Sequence, residues 1–364
     1  MVVHLLLNLD RDRYDAHAVS LYPPVTSDLP RMLTGAGIPM SYLGKGSGFD
    51  PRIFARFDKL VRQFRPHVVH THLNALFYAA PSAKLHQVPH FYTAQNLVPL
   101  LVPRSLRWFY RICFEHWVHV VPVADAVARD LRDNFRLPRL TTIPNAIPVE
   151  RYAHPRVSRE QWRAREGFAT EDVLFVCAAR LSPQKNHALL LEAFAAGPVR
   201  HPSAHLLLAG DGELRNELMR QAAASGIADR VSFLGVRDDV PELLVASDIF
   251  VLASGTEGNP LSVMEAMAAG LPPICTDAGG VKELMEPGFD GFLIQPGDFR
   301  SLSEHMVRLL GDPTLRVTVG RRAAQRARKH FDVSALAQAY DRLYTSQLGR
   351  PGPRATVAAG VSQP

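Results

Sequence analysis

Short apolar runs alternate with helical patterns along this chain, and they do so in two successive blocks. In the second half VLFVCAA, HLLLAG, VSFLG, IFVLAS, PPICTD and GFLIQP read as strands; in the first, AHAVSL, HVVHTH, HFYTA, VHVVPVA and LTTIPN do. They are β-branched or leucine-rich on both faces, which suits parallel strands covered on both sides by helices. Between them lie helical patterns such as DPRIFARFDKLVRQF, HALLLEAFAAG, GELRNELMRQAAASG and LSEHMVRLL. Such alternation twice over predicts two doubly wound α/β domains, and 364 residues are enough to build two cores.

A Pro-punctuated polar stretch, NAIPVERYAHPRVSREQ, marks the boundary, giving domains at 1–155 and 156–332. The tail from 349 to 364 is rich in Pro, Gly and Ser and is expected to be disordered. The start is unusual. MVVHLLLNL reads as a helix and AHAVSL as the strand after it, whereas a doubly wound domain opens on a strand that is central to its sheet. The expectation is a first domain short of that strand.

A net charge of +6 and a pI near 9.4 suit an acidic partner such as phosphate, nucleotide or anionic lipid. The basic run RRAAQRARKH has helical spacing and no interleaved aromatics, so it reads as a solvated helix face, not a nucleic-acid site. Cys113, Cys177 and Cys275 form no CxxC and no even framework, which points to buried thiols in a reducing compartment. There is no run of about eighteen apolar residues to span a membrane, and the apolar start lacks a basic leader, so a cytoplasmic location is expected.

The stretch TEGNPLSVMEAMAAGLP, from Thr256, carries the most chemistry. It follows the strand IFVLAS, and loops at the carboxyl ends of parallel strands are where open α/β sheets bind ligands. A helix beginning near Ser262 would offer free N–H groups to an anion. The plain alternative for Glu265 is a capping box with Ser262, and for Glu257 a solvated loop position. A second stretch, CAARLSPQKNHALLLEAF, puts Arg180 and Lys185 in another strand-to-helix loop. Two cations and a helix start at one sheet edge suit a diphosphate, leaving the carboxylates as acceptors for sugar hydroxyls.

These residues carry a resemblance. The pair Glu257 and Glu265, the pair Arg180 and Lys185 in RLSPQKN, and the stretches AGDGELR, FLGVRDDVPELLVASDIFVLAS, AMAAGLPPICTDAGGVKEL and GFLIQPGD resemble the retaining GT-B glycosyltransferases of family 4, the group 1 type. The resemblance covers about residues 1–345 and is looser in the first half. It implies two Rossmann-like domains facing across a cleft, with a last helix at 333–346 crossing back to the first. By position, Arg180 and Lys185 would neutralise the donor diphosphate, and Glu257 would lie by the transferred sugar. Glu265 would take the ribose hydroxyls. The backbone of Asn259, Pro260 and Leu261 would line sugar and phosphate, Val236 and Arg237 would flank the base, and Gly210 would complete the donor site. The donor would be a UDP- or GDP-linked sugar, with no metal or other cofactor. The acceptor would be a glycan or a lipid-linked acceptor in cell-surface polysaccharide or glycolipid synthesis.

The chain departs from the family twice. Where a histidine is common after the VPHFYT strand, it has Gln95, which can hydrogen-bond a sugar but cannot act as a base. Met1 aligns inside the first helix, so the first strand and its Gly-rich loop are expected to be absent and the first domain to fold poorly. A non-catalytic relative or a sugar-nucleotide epimerase are the alternatives this leaves. His70 and His72 share a strand face; one is expected to line the cleft and the other to pack, since a metal pair lacks a third ligand. Asp10 and Asp12 read as a solvated turn. In LVPLLVPRSLRWFYRICFEHW, Arg104, Arg107 and Arg111 share a helical face beside Trp108, which could rest on an anionic membrane.

Overall fold

The computed structural model describes residues 1–24, 28–138, 140–348 and 355–361. The chain divides into two units, one of residues 1–145 with 333–364, the other Ala146–Asp332. The boundary thus falls ten residues before the expected one. The reason is packing: Ile147, Val149 and Tyr152 are buried in the core of the second unit, and Ile147 bridges to Asp332.

The second unit contains β6 (Val173–Ala178), β7 (Ala204–Ala209), β8 (Val231–Gly235), β9 (Ile249–Leu252), β10 (Pro273–Thr276) and β11 (Phe292–Ile294). They form one parallel sheet in the order β11-β10-β9-β6-β7-β8. Every residue of β9 and β10 is buried, as the doubly apolar runs require. The order is that of a doubly wound sheet, and it reverses direction between β6 and β9. A buried guanidinium, Arg163, ties the unit together through Asp248 at 2.7 Å, and Trp162 beside it donates its indole N–H to Asp239 at 3.0 Å.

The first unit has β1 (Tyr14–Ser20), β2 (Met40–Tyr42), β3 (Val68–His72), β4 (His90–Ala94) and β5 (His119–Pro122). The three-residue β2 was not anticipated. Leu140–Asn145, read from the sequence as a strand, is irregular; Ile143 alone donates to the carbonyl of Pro122 at 2.9 Å.

Two expectations about the ends of the chain need correction. Ala355–Val361 lie in the tail expected to be disordered, yet they form β12, and the order is β2-β1-β12-β3-β4-β5. β12 runs parallel to both neighbours, pairing Ala16 with Val357 and Val69 with Ala358. It therefore occupies the central slot that a doubly wound order assigns to its first strand, and the sheet is not short of a strand there. The physical reason is that an open slot would leave two ladders of backbone N–H and C=O groups unpaired; a run of small and β-branched residues satisfies both. Val357 is fully buried.

The helix Val333–Leu348 packs in this first unit. Asp341 accepts from Tyr14 at 2.6 Å and from Arg13 at 2.7 Å, while the Tyr344 hydroxyl lies 2.6 Å from His70 Nδ1 and the Tyr340 hydroxyl 2.7 Å from Thr93.

Candidate functional site

In the second unit the loop after β6 begins at Ala179, turns through the short helix Pro183–Lys185, and passes Asn186 in the left-handed region before the helix His187–Ala196. The loop after β9 runs from Ala253 to Pro260 and feeds the helix Leu261–Ala268. Because β6 and β9 are adjacent where the sheet order reverses, these two loops flank the crevice in which such sheets bind ligands.

The loops are laced together. Gly255 donates to the carbonyl of Gln184 at 2.9 Å, and the Gln184 amide donates to the carbonyl of Thr256 at 2.8 Å. At the centre the Lys185 ammonium donates to Glu257 Oε1 at 2.5 Å across 72 residues of sequence. Glu257 is only 4% exposed. The solvated-loop alternative for Glu257 is therefore excluded. The resemblance implies separate tasks for the two, phosphate for Lys185 and sugar for Glu257; the fold makes them an ion pair.

The capping-box reading of Glu265 also fails. Pro260, not Ser262, occupies the cap position of the helix, and its side chain makes no capping hydrogen bond. Proline has a fixed φ and no N–H to leave unsatisfied, so it suits the cap position, and the helix begins at Leu261, one residue before Ser262. Glu265 lies a full turn in, where its carboxylate accepts the Tyr152 hydroxyl at 2.8 Å. Burial raises its pKa above 4.5, with the Tyr152 bond opposing that shift. Tyr152 was missed because it lies 113 residues away with no motif around it.

Neighbouring loops support the site through two glycines. Gly279 after β10 has φ +61°, and a Cβ there would lie 1.9 Å from the Glu257 carbonyl oxygen. Gly210 after β7 has φ +137°, and a Cβ would lie 2.1 Å from the Ala179 carbonyl oxygen. Only glycine lets these loops close on the backbones of Glu257 and Ala179. Gly279 lies in the stretch AMAAGLPPICTDAGGVKEL, but nothing in the sequence singled it out.

The other donor-side candidates line the same carboxyl edge with differing freedom. Arg180 is exposed and makes a solvent-facing pair with Glu213 at 3.3 Å. Asn259 is buried. Leu261 opens the helix, and Val236 is exposed just beyond β8. The Arg237 side chain is committed elsewhere: it pairs with Asp239 at 2.7 Å and Glu166 at 2.9 Å and lies over Trp162, and those bonds hold its pKa up. Beneath the site His187 lies 3.6 Å from Cys177; burial lowers the imidazole to about 4 and pushes the thiol up to about 12.

In the first unit Gln95 Nε2 and His72 Nδ1 approach to 3.4 Å. His70 is a packing residue, held by Tyr344 and Thr93. Asp10 accepts from the Asp12 backbone N–H at 2.9 Å, which closes a turn. Among the described residues no three His, Cys, Asp or Glu side chains are grouped to hold a metal ion.

Two doubly wound α/β units, with an ion pair and an uncapped helix start at the switch point of the second, define a protein of the GT-B fold class. Comparison with known proteins narrows this. Residues 1–151 match the Glycosyltransferase Family 4 model and residues 158–326 the Glycosyl transferases group 1 model, and the chain belongs to this glycosyltransferase family. It is similar to the Escherichia coli UDP-Gal:alpha-D-GlcNAc-diphosphoundecaprenol alpha-1,3-galactosyltransferase, 34% identical over 183 residues, 49% of this chain and 47% of the relative. It is also similar to the Corynebacterium glutamicum GDP-mannose-dependent monoacylated alpha-(1-6)-phosphatidylinositol monomannoside mannosyltransferase, 32% identical over 201 residues, 52% of this chain and 51% of the relative. The chain spans about half the length of these curated relatives. Among solved structures, HepE of Anabaena in complex with UDP and glucose superposes with a TM-score of 0.83 at 22% identity, covering 95% of each chain. No helix among the described residues is long and apolar enough to cross a membrane.

Proposed function

We propose that this chain transfers a sugar, with retention of anomeric configuration, from a nucleoside-diphosphate sugar to a glycan or lipid-linked acceptor. The observation that carries the reading is the meeting of Lys185 and Glu257 at the switch point of the second sheet, beside a helix start with no side-chain cap. Departure of a nucleoside diphosphate develops negative charge. The Lys185 ammonium, the exposed Arg180 guanidinium and the first N–H groups of Leu261–Ala268 are fixed donors for that charge. Glu257 holds Lys185 in place and offers an acceptor to the sugar. Glu265, oriented by Tyr152, accepts from the ribose hydroxyls, and the backbone at Val236 and Arg237 meets the base. Gln95 and His72 belong to the acceptor side, where neither is needed as a base if a donor phosphate oxygen takes the acceptor proton.

Both UDP and GDP donors are consistent with the relatives, one named for UDP-galactose and the other for GDP-mannose. Both relatives are also named for lipid-linked acceptors. That supports work in cell-envelope glycan or glycolipid synthesis, at the inner face of the plasma membrane. The test is incubation with UDP-glucose, UDP-galactose or GDP-mannose and a lipid diphosphate-linked sugar, with the new anomeric linkage read by NMR. An α linkage from an α donor is expected. A β linkage would overturn retention, and an epimerised donor without an acceptor product would overturn transfer.

A further inference from the structure

A second site lies in the first unit, at the carboxyl edge of its sheet. The segments after β1, β2, β3 and β4 line an open cavity of about 830 Å³, bordered by Tyr22, Lys45, Leu73, Phe77, Tyr78 and Leu100 among others. That size lies within the ~300–1,000 Å³ usual for small-molecule sites. Its walls are mostly apolar, and large hydrophobic side chains remain uncovered on its borders: Phe49 is 66% exposed and Leu100 49%. Leu73 turns into the cavity region with φ +52°, a strained conformation for a branched residue.

One charged residue, Lys45, lines this apolar cavity. Lys45 is 7% exposed, and its ammonium lies 5.2 Å from the Tyr22 ring and 6.0 Å from the Tyr78 ring. It donates to the carbonyls of Gly46 at 3.1 Å and Gly48 at 2.6 Å, which uses two of its three donors. Among the described residues it forms no ion pair. A buried cation without a carboxylate is costly unless something anionic joins it. Next in sequence to Ser105 and Leu106, which line the cavity, Arg104 and Arg107 are exposed, Arg107 donating to Asn134 Oδ1 at 2.6 Å, on the segment that leads to the 66%-exposed Trp108.

We infer that this cavity binds an amphiphile in which an alkyl or isoprenoid chain carries a phosphate, the chain against Phe77, Leu100 and Tyr78 and the phosphate at Lys45. This rests on the transferase reading and names its acceptor as a lipid phosphate. The apolar walls select against a free glycan, and the Lys45 ammonium, which has carbonyl and aromatic partners but no carboxylate among the described residues, selects against a cationic lipid. The arginines at the border extend the positive field toward an anionic bilayer from which such a lipid would be drawn.

The test is calorimetric titration of the full chain with hexyl, octyl and decyl phosphate below their micellar concentrations. Inorganic phosphate and octyltrimethylammonium serve as comparisons, and UDP and GDP are titrated into the same samples. Affinity should rise with chain length, by up to about fourfold per buried methylene. Lys45→Gln should weaken decyl phosphate at least tenfold. Leu100→Glu, a change at an exposed position that leaves the core intact, should weaken it more than it weakens hexyl phosphate. Nucleotide binding should persist in both variants. Equal affinity for inorganic phosphate and decyl phosphate, equal affinity for the cationic amphiphile, or indifference to both substitutions would overturn the inference. Nucleotide binding without alkyl phosphate binding would do the same while leaving the donor reading standing. Alkyl phosphate binding without nucleotide binding would sink the donor reading and keep this site.

Discussion

Replacing Lys185 by methionine isolates the ion pair at the switch point. The pair is mostly buried, with Lys185 and Glu257 side chains 20% and 5% exposed and 2.5 Å apart. Removing one partner of a buried pair leaves an uncompensated charge, at a cost of about 3–5 kcal/mol. The partial exposure of Lys185 puts the value near the lower limit, about 3 kcal/mol. At about 2–4 °C per kcal/mol for a domain of this size, the second unit should melt roughly 6–12 °C below the wild type. The assay can be made specific, because Trp162 is the only tryptophan of that unit and is fully buried. In a Trp108→Phe, Trp117→Phe background its fluorescence follows that unit alone. Adding Glu257→Gln to Lys185→Met removes the orphaned charge and should recover most of the loss. Turnover should stay depressed by about 10–100-fold in both variants, since a diphosphate loses its cation in each. A single variant that melts with the wild type, or a double variant no more stable than the single, would refute the reasoning.

Three further outcomes follow from the same structure. Burial holds His70 and His90 down to about 3 and pushes His72 the same way, so these stay neutral in the fold while the unfolded chain protonates from about 6.5 downward. Stability of the first unit is therefore present above that value and lost as pH falls below it, by about 1.4 kcal/mol per imidazole at about pH 5.5; urea midpoints followed by Trp108 and Trp117 should drop accordingly. Glu265 has the opposite linkage: its raised pKa means that ionisation above 4.5 weakens the fold, so Glu265→Gln should gain stability over the wild type at pH 7 and lose that gain near pH 4. Deleting residues 355–364 should open both flanks of the central slot, unfolding the first unit while Trp162 fluorescence still reports a folded second; a truncated chain whose first unit melts normally would show that β12 is dispensable.

The second unit was legible because each of its six strands is a compact apolar run with a turn behind it, and no strand there was missed. The first was less so for identifiable reasons. β2, Met-Ser-Tyr, is too short to show a period, and irregular Leu140–Asn145 has the β-branched content of a strand but meets β5 only through the Ile143 to Pro122 bond, which forms no ladder. β12 was hidden because its small residues sit in a Pro- and Gly-rich tail; pairing partners more than 280 residues away decide its structure. At the site, residue types and loops could be read, but not contacts. Strand order alone reveals that the Lys185 and Glu257 loops adjoin, and only the Pro260 cap reveals why Glu265 turns to Tyr152 and not to the helix start.

The central claim is that the carboxyl edge of the second sheet holds a nucleoside-diphosphate sugar. Calorimetric titration with UDP and with GDP tests it most directly, on the wild type, Glu265→Ala and Tyr152→Phe. The account predicts one nucleotide bound by the wild type and bound at least tenfold more weakly by Glu265→Ala, which loses the ribose acceptor. Tyr152→Phe keeps the carboxylate and should stay within a few-fold of the wild type. No binding of either nucleotide by the folded wild type would contradict the claim, and equal losses in both variants would reduce Glu265 to a structural partner of Tyr152.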